Sequence, residues 1–359
     1  MTIARWMVVL AALAVAGCGS SGSGGGSPTS PGGTQPPPPG GPPPSPGPHM
    51  VTGSVVSALD DAAGAANVAF TAADTLVGHS DPGGAFAVGF HTSGTNRTTL
   101  TAEGFVTRET GIAAPGSDLR LSLIPSSFDL AAFNQMFRHT QVAGTGAALA
   151  RWTTPPALVI ERRVLQFTST GATSYTALEE TLTDAEVSAI IADMTDGYAI
   201  LTAGRLGTFE SVTTQLTDPG AEVTVSHPGT IVVTRQAGLT GASGFWGYAR
   251  WATSVGAVTR GFIMLDRNFD SSTNPSLSQY HRSLRMHELG HALGCQHVTG
   301  RDSVMNSHAR IVPNEFDRQA ARIAMLRPPG NRAPDIDPPT NIATTAARTT
   351  QPVTWHGAH

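Results

Sequence analysis

Three histidines and a glutamate within residues 287–297 are spaced so that they can bind a metal ion and activate water. The segment reads His-Glu-Leu-Gly-His-Ala-Leu-Gly-Cys-Gln-His. His287 and His291 are four residues apart, so on a helix both imidazoles project from one face and can hold one ion. Gly294 can adopt the positive φ that ends a helix, and the resulting turn can bring back His297 as a third ligand. Three protein nitrogens leave one tetrahedral position open, which is typical of catalytic zinc sites.

Glu288 directly follows the first histidine and is the predicted general base. It can accept a proton from water at the open metal position. With this chain's residue frequencies, the full pattern arises by chance about once in twenty thousand sequences. Met286, Leu289 and Leu293 add an apolar stripe on a different helical face from the ligands. The spacing therefore favours a metal-binding helix over an ordinary helix with solvated or core histidines.

Nearby cysteine and histidine residues are expected to have other roles. Cys295 follows the turning glycine and is predicted to pack inward as a small apolar residue. We expect His308 to lie in a surface turn, and His227 and His281 to be structural or solvated.

The composition of the whole chain excludes several classes of protein. Its 359 residues are enough for more than one domain. Only 13% of residues are charged, the net charge is −4, and no basic stripe occurs, so nucleic-acid binding is not expected. The two cysteines, Cys18 and Cys295, lie in unrelated contexts, which excludes a disulfide scaffold. Nothing in the composition indicates an oligomeric state.

The first 18 residues have the features of a secretory signal. Arg5 precedes an apolar run, Trp6 to Ala16, that is too short to span a membrane. The sequence from Leu13 to Cys18 resembles the lipobox of bacterial lipoproteins, which implies cleavage before Cys18 and lipidation of its thiol. The alternative is an ordinary signal peptide with an incidental cysteine. Because Gly19 follows, rather than the Asp of inner-membrane retention, we expect an extracytoplasmic lipoprotein at the outer membrane or cell surface.

Two segments have compositions that cannot form a core. Residues 19–49 are almost entirely Gly, Ser, Pro and Thr and are predicted to be an extended linker. Residues 328–359 are rich in Pro, Thr and Ala and are predicted to be a disordered tail.

Residues 50–125 contain short β-type runs with turn signals between them. The predicted strands are 51–56, 68–71, 85–90, 98–102 and 119–123. The patterns Val51-Thr52-Gly53-Ser54-Val55, Asp81-Pro82-Gly83-Gly84-Ala85-Phe86 and Ala102-Glu103-Gly104-Phe105 resemble the carboxypeptidase regulatory-like family. That resemblance implies a small all-β sandwich of the immunoglobulin or transthyretin type, without catalytic residues.

Residues 126–327 show a mixed order of elements. A strand is predicted at 157–167, and Thr183-Asp184-Ala185-Glu186 is a helix start. Further strands, the histidine helix and a last helix after Pro313 follow. Residues 126–150 are either a removable pro-segment or part of the fold.

This order, with Ser303-Val304-Met305 after the histidine helix, resembles the metzincin metalloproteases and is closest to the matrixin-like group. The resemblance implies an α+β domain with a mixed twisted sheet and three main helices, preceded by the β-sandwich. It implies that His287, His291 and His297 bind one catalytic Zn²⁺, that Glu288 is the general base, and that Met305 lies beneath the imidazoles. A structural Ca²⁺ is left open. It also suggests that residues 244–251 form the edge strand along which a peptide lies extended.

Two departures from the family are visible. Asn306-Ser307-His308 follows the methionine, so the tyrosine that some metzincins carry there is absent. Cys18 is the only cysteine upstream, so latency through a pro-segment thiolate is not expected.

The predicted function is that of a zinc-dependent endopeptidase that acts on proteins or peptides. Two alternatives remain open. The chain could be a surface-displayed binding protein with a non-catalytic zinc domain, or a zinc hydrolase acting on a non-peptide bond.

Overall fold

The computed structural model describes residues 49–138, 148–243, 246–254, 256–308 and 310–339, together with the backbone of 354–357. The signal segment, Cys18 and the linker lie outside these residues. Within the described part, no helix is both long enough and apolar enough to cross a membrane. Sheets dominate the fold, with 40% strand and 22% helix, which agrees with the predicted α+β class.

Sixteen strands and seven helices are found in the described residues. The strands are β1 (His49–Ser57), β2 (Asp60–Gly64), β3 (Ala69–Ala72), β4 (Thr75–His79), β5 (Ala85–Phe90), β6 (Gly94–Thr101), β7 (Arg108–Ala114), β8 (Gly116–Leu123), β9 (Ala157–Gln166), β10 (Ser174–Thr181), β11 (Val212–Gln215), β12 (Glu222–Thr224), β13 (Thr230–Ala237), β14 (Gly247–Ser254), β15 (Ala257–Asp266) and β16 (Thr354–Gly357). The helices are α1 (Leu130–Arg138), α2 (Asp184–Leu201), α3 (Leu239–Ser243), α4 (Arg267–Asp270), α5 (Pro275–Ser278), α6 (His281–Ala292) and α7 (Glu315–Met325).

The first eight strands form two four-stranded sheets. One sheet has the order β2-β1-β5 with β8 pairing β1, and the other has the order β4-β3-β6-β7. One apolar core lies between them, and the rings of Phe70 and Phe86, one from each sheet, have centroids 4.7 Å apart. The predicted all-β arrangement is therefore observed, and the five predicted strands correspond to β1, β3, β5, β6 and β8.

A third sheet has eight strands in the order β12-β10-β9-β13-β15-β14-β16, with β11 pairing β9. β13 runs parallel to both β9 and β15, whereas β14 runs antiparallel to β15. Seven of the eight residues of β13 are buried, as expected for a central strand covered on both faces.

Three longer helices, α2, α6 and α7, pack together with this sheet around the main apolar core. α2 begins at the predicted capping box, in which Thr183 and Glu186 each bond the other's backbone N–H. Gly197 lets α2 approach α6 closely, because a Cβ there would lie 3.0 Å from Met286 Cγ and 3.1 Å from Leu289 Cδ2. The apolar stripe predicted for the histidine helix therefore packs against α2.

A buried ionic cluster joins the sandwich, α1 and the segment after α7. We call it the junction cluster; it comprises Arg108, Arg138, Arg327, Asp335 and Asp337. Arg327 donates twice to Asp335, at 2.7 Å each, and Arg138 donates to the same carboxylate at 3.2 Å. Arg108 donates to Asp337 at 2.7 Å. All five side chains are almost fully buried, so each charge is held by a partner instead of by water.

This cluster corrects the prediction of a disordered tail from residue 328 onward. Asn331, Asp335 and Asp337 are buried, and residues 328–339 form backbone hydrogen bonds with the rest of the fold, such as Leu149 N–H to the Asn331 carbonyl at 2.8 Å. Composition suggested disorder because the segment carries few apolar residues. Its order comes instead from partners that are far away in the sequence.

The C-terminal strand corrects two further expectations. The predicted edge strand 244–251 is observed as β14, and residues 244 and 245 lie outside the described part. β14 pairs with β15 on one side, and residues 250–253 pair with β16 on the other. The expectation of an open edge is therefore wrong for these four positions, and the expectation of disorder is wrong for 354–357.

Candidate metal and catalytic site

Helix α6 carries His287, Glu288 and His291, and its end delivers the third histidine. The predicted turn is present: Gly294 has φ of +104°, and the Cys295 N–H donates to the Gly290 carbonyl at 2.9 Å. A Cβ at Gly294 would also lie 2.8 Å from the Ala150 carbonyl oxygen, so both backbone and space require glycine there.

The three imidazoles converge on one point. The Nε2 atoms of His287 and His291 are 3.0 Å apart, those of His291 and His297 are 3.2 Å apart, and those of His297 and His287 are 3.3 Å apart. Three nitrogens arranged tetrahedrally around a zinc ion would be about 3.3 Å apart. Within the described residues, this trio is the group of side chains that could hold a metal ion.

Backbone carbonyls determine which nitrogen of each helical histidine faces this point. Nδ1–H of His287 donates to the Val304 carbonyl at 2.7 Å, and Nδ1–H of His291 donates to the Cys295 carbonyl at 2.9 Å. A carbonyl can only accept, so neutral rings present the lone pair of Nε2 to each other. Lone pairs at 3.0 Å repel unless a cation lies between them. The arrangement therefore fits a bound metal ion.

Burial favours the neutral, metal-binding form of these rings. His287 and His291 are almost completely buried. Burial lowers the pKa of His287 to about 4, and the neighbouring His297 acts in the same direction. The deprotonated nitrogen of His287 is therefore available to a metal ion even at pH values below 6.5.

Glu288 lies beside the trio in an apolar position. Its side chain is buried, and its Oε2 atom has no hydrogen-bond partner among the described residues. Burial raises the pKa of Glu288 well above its usual value. A buried carboxyl oxygen without a protein partner calls for an explanation, and a ligand at the neighbouring metal position would provide one.

Gly247, at the start of β14, was not identified from the sequence. A Cβ on this residue would lie 2.5 Å from Glu288 Oε1. The backbone of β14 therefore passes directly against the carboxylate, and only a glycine permits this approach. A sequence pattern cannot reveal this contact, because the two residues are 41 positions apart.

The Ser303-Val304-Met305 turn packs against the histidine helix at Gly290. Met305 is fully buried, and a Cβ on Gly290 would collide with its sulfur. Asp317 of α7 holds the turn by accepting from Ser303 Oγ at 2.6 Å and from the Val304 N–H at 3.0 Å. Asp317 was not predicted as a site residue, although Asn314-x-x-Asp317 matches a capping box and could have marked it.

A second ionic cluster supports the opposite face of α6. Arg285 donates to Asp270 at 2.8 Å and to Asp193 at 2.9 Å, and Arg235 donates to Asp270 at 2.6 Å. These bonds connect α6 with α2, α4 and β13. They fix the rotation of the helix that aims His287 and His291 at the metal position.

Residues before the large sheet also reach the ligand turn. The Gln296 N–H donates to the Met136 carbonyl at 2.8 Å, and the Thr299 N–H donates to Gln135 Oε1 at 2.8 Å. Phe133 and Phe137 of α1 are buried in the main core. For the described residues 126–138, these contacts favour a part of the fold over a removable pro-segment.

The remaining candidates are not brought to the site. Cys295 packs inward as predicted, and burial raises the pKa of its thiol. His308 is exposed. His227 bonds the Thr224 carbonyl at 2.9 Å, and His281 bonds the Phe269 carbonyl at 2.7 Å, which agrees with structural or solvated roles.

The sequence matches none of the protein-family models and none of the curated proteins with which it was compared. The functional conclusion therefore depends on the residues and geometry of this chain.

Proposed function

We propose that this protein is a zinc-dependent endopeptidase of the metzincin type, closest to the matrixin-like group. The observation that carries the proposal is the convergence of three imidazole nitrogens beside a buried carboxyl oxygen, Glu288 Oε2, that has no hydrogen-bond partner among the described residues. A structural zinc site would normally have four protein ligands, and a purely structural carboxyl group would be hydrogen-bonded.

The donor set fits zinc better than the hard cations. Calcium and magnesium prefer carboxylate and carbonyl oxygens, whereas three imidazoles suit zinc and its transition-metal neighbours. His287, His291 and His297 would hold the ion. A zinc ion supplies Lewis acidity, which acidifies water and stabilises negative charge on a carbonyl oxygen.

Glu288 would move the proton in this reaction. Its carboxylate would accept a proton from the attacking water and return it to the amine of the leaving product. Burial favours this exchange, because it raises the pKa of Glu288 and so lets the carboxyl group hold the proton before returning it. Gly247 leaves the space that the carboxylate needs.

β14 would bind the substrate backbone. An extended peptide that pairs with a strand gains main-chain hydrogen bonds that do not depend on its sequence. β14 supports this role because its first residue lies against Glu288. The N-terminal lipobox pattern, which ends at Cys18, supports a lipid-anchored, extracytoplasmic enzyme at the outer membrane or cell surface.

Replacing the general base tests the proposal directly. We expect Glu288→Gln to retain stoichiometric zinc while cleavage of a mixed peptide library falls by about 10²- to 10⁴-fold, because the amide cannot accept the proton. Mass spectrometry of the library, with and without a chelator, measures cleavage. Glu315→Gln is the matched control, because Glu315 is exposed on α7.

Undiminished cleavage by the zinc-loaded Glu288→Gln protein would contradict the role of Glu288. Zinc binding without cleavage of any peptide by the native chain would instead favour a binding protein or a non-peptide substrate.

A further inference from the structure

The strand that would receive a substrate already has a partner from its own chain. We call the side of β14 opposite β15 the β14 edge. β16 pairs with this edge in antiparallel register, with Thr354 opposite Thr253 and Gly357 opposite Arg250. This pairing involves residues 250–253, which are four of the eight residues of β14.

β16 runs antiparallel to β14, as we would expect an extended bound peptide to run. From Thr354 to Gly357 the chain advances along β14 toward Gly247, which is the residue that lies against Glu288. Antiparallel pairing uses the same backbone groups of residues 250–253 that an extended substrate would use. Two strands cannot pair with one edge at the same positions.

A tethered strand is a strong competitor. Residues 340–353 connect the described end of the junction segment with β16, which is a linker of 14 residues. A strand joined to its site by a linker of this length has an effective concentration in the millimolar range, about the level of a saturating substrate.

We propose that residues 354–357 are an intramolecular competitor that occupies the β14 edge and restrains cleavage until a peptide displaces them. This inference rests on the proposed peptidase function. It assigns the β14 edge to an extended polypeptide and names the chain's own C-terminal strand as the occupant that substrates displace.

The test compares the full chain with a chain that ends at Pro339. This truncation keeps Asn331, Asp335 and Asp337, so the junction cluster is preserved. Trp355→Pro is a second variant, because proline disrupts pairing within a strand. Thr345→Pro, within the linker, is its matched control.

Two measurements separate the inference from the proposed function. Hydrogen exchange of the amides of residues 250–253 reports pairing without any need for activity. Peptide cleavage reports competition, and we expect kcat/KM to rise by about tenfold or more in the truncated chain, mainly through a lower KM. A synthetic peptide of residues 352–359 should then inhibit the truncated chain competitively.

Faster exchange at residues 250–253 together with higher kcat/KM in both variants, and not in Thr345→Pro, would support the inference. Unchanged exchange after truncation would overturn it, as would faster exchange with unchanged kcat/KM; the peptidase proposal would stand in both cases. Failure of every zinc-loaded chain to cleave peptides would overturn the peptidase proposal, and the competition with it.

Discussion

The molecule buries two clusters of polar side chains that differ in how their groups are satisfied. In the junction cluster, every carboxylate meets a guanidinium, as Asp335 does with Arg327 and Arg138. In the histidine cluster, nitrogen lone pairs face one another, and Glu288 Oε2 has no partner in the described residues. A fully paired cluster fixes a structure, whereas a cluster with unmet bonding capacity is prepared for a ligand. The contrast distinguishes scaffold from site even though both are buried.

The largest expected effect comes from breaking the paired cluster. Asp335→Ala would leave Arg327 and Arg138 buried without their carboxylate, which should lower the free energy of unfolding by about 3–5 kcal/mol. Urea denaturation followed by tryptophan fluorescence measures this loss. The exposed pair Arg318–Glu315 provides the control, because Glu315→Gln should cost at most about 0.5 kcal/mol. A loss for Asp335→Ala as small as that of the control would show that the junction cluster is not needed for stability.

The next effect should appear in metal binding instead of stability. His297→Ala leaves two ligands, and we expect zinc affinity to fall by more than the roughly 10- to 100-fold typical of losing an outer-shell partner. Without metal, the same change removes one repelling lone pair and should not lower the free energy of unfolding. Competition titration with a chromogenic chelator gives the affinity. Zinc affinity equal to that of the native chain would place the third ligand elsewhere.

Local patterns and long-range pairings differed sharply in how far the sequence could predict them. The zinc-type motif and the Thr183 capping box are local, because their geometry follows from a few neighbouring residues. The strands β2 and β4 were missed because they are only five residues long and show little alternation. β7 was missed although alternate residues are buried, because its sequence Arg-Glu-Thr-Gly-Ile-Ala-Ala contains few large apolar side chains. The role of Asp335 could not be predicted, because one of its arginines lies nearly two hundred residues earlier. Gly247 was missed for the same reason.

The most gradual expected effect is a difference in pH dependence between the clusters. The pKa of His287 is about 4 in the folded protein, against 6.5 for an unperturbed histidine. Between these values the unfolded chain binds a proton that the folded chain does not. Glu288 acts in the opposite direction over this range, because its raised pKa makes the folded chain bind the extra proton, so both windows are measured in the Glu288→Gln protein. The free energy of unfolding of this protein without metal should fall as the pH decreases from about 6.5 to about 4, by at most about 1.4 kcal/mol per pH unit.

The stability contributed by the junction cluster should change in a lower pH range. Burial alone would raise the pKa of Asp335, but Arg327, Arg108 and Arg138 together hold it below 3.8. Its contribution to stability is present above that value and is lost only as the pH falls further. Urea denaturation at a series of pH values, with a chelator present, measures both windows. Stability that is constant from pH 6.5 to 4 would contradict the buried, neutral state of His287.

The carbonyl that orients His291 belongs to the main chain of Cys295, so the bond does not depend on the side chain at that position. Any small apolar residue there would preserve the acceptor. Cys295→Ala in a chain that starts at Gly19, after the predicted lipidated cysteine, would therefore yield a protein without any sulfhydryl. One cysteine introduced at an exposed position could then carry a single fluorophore or spin label without disturbing the imidazoles.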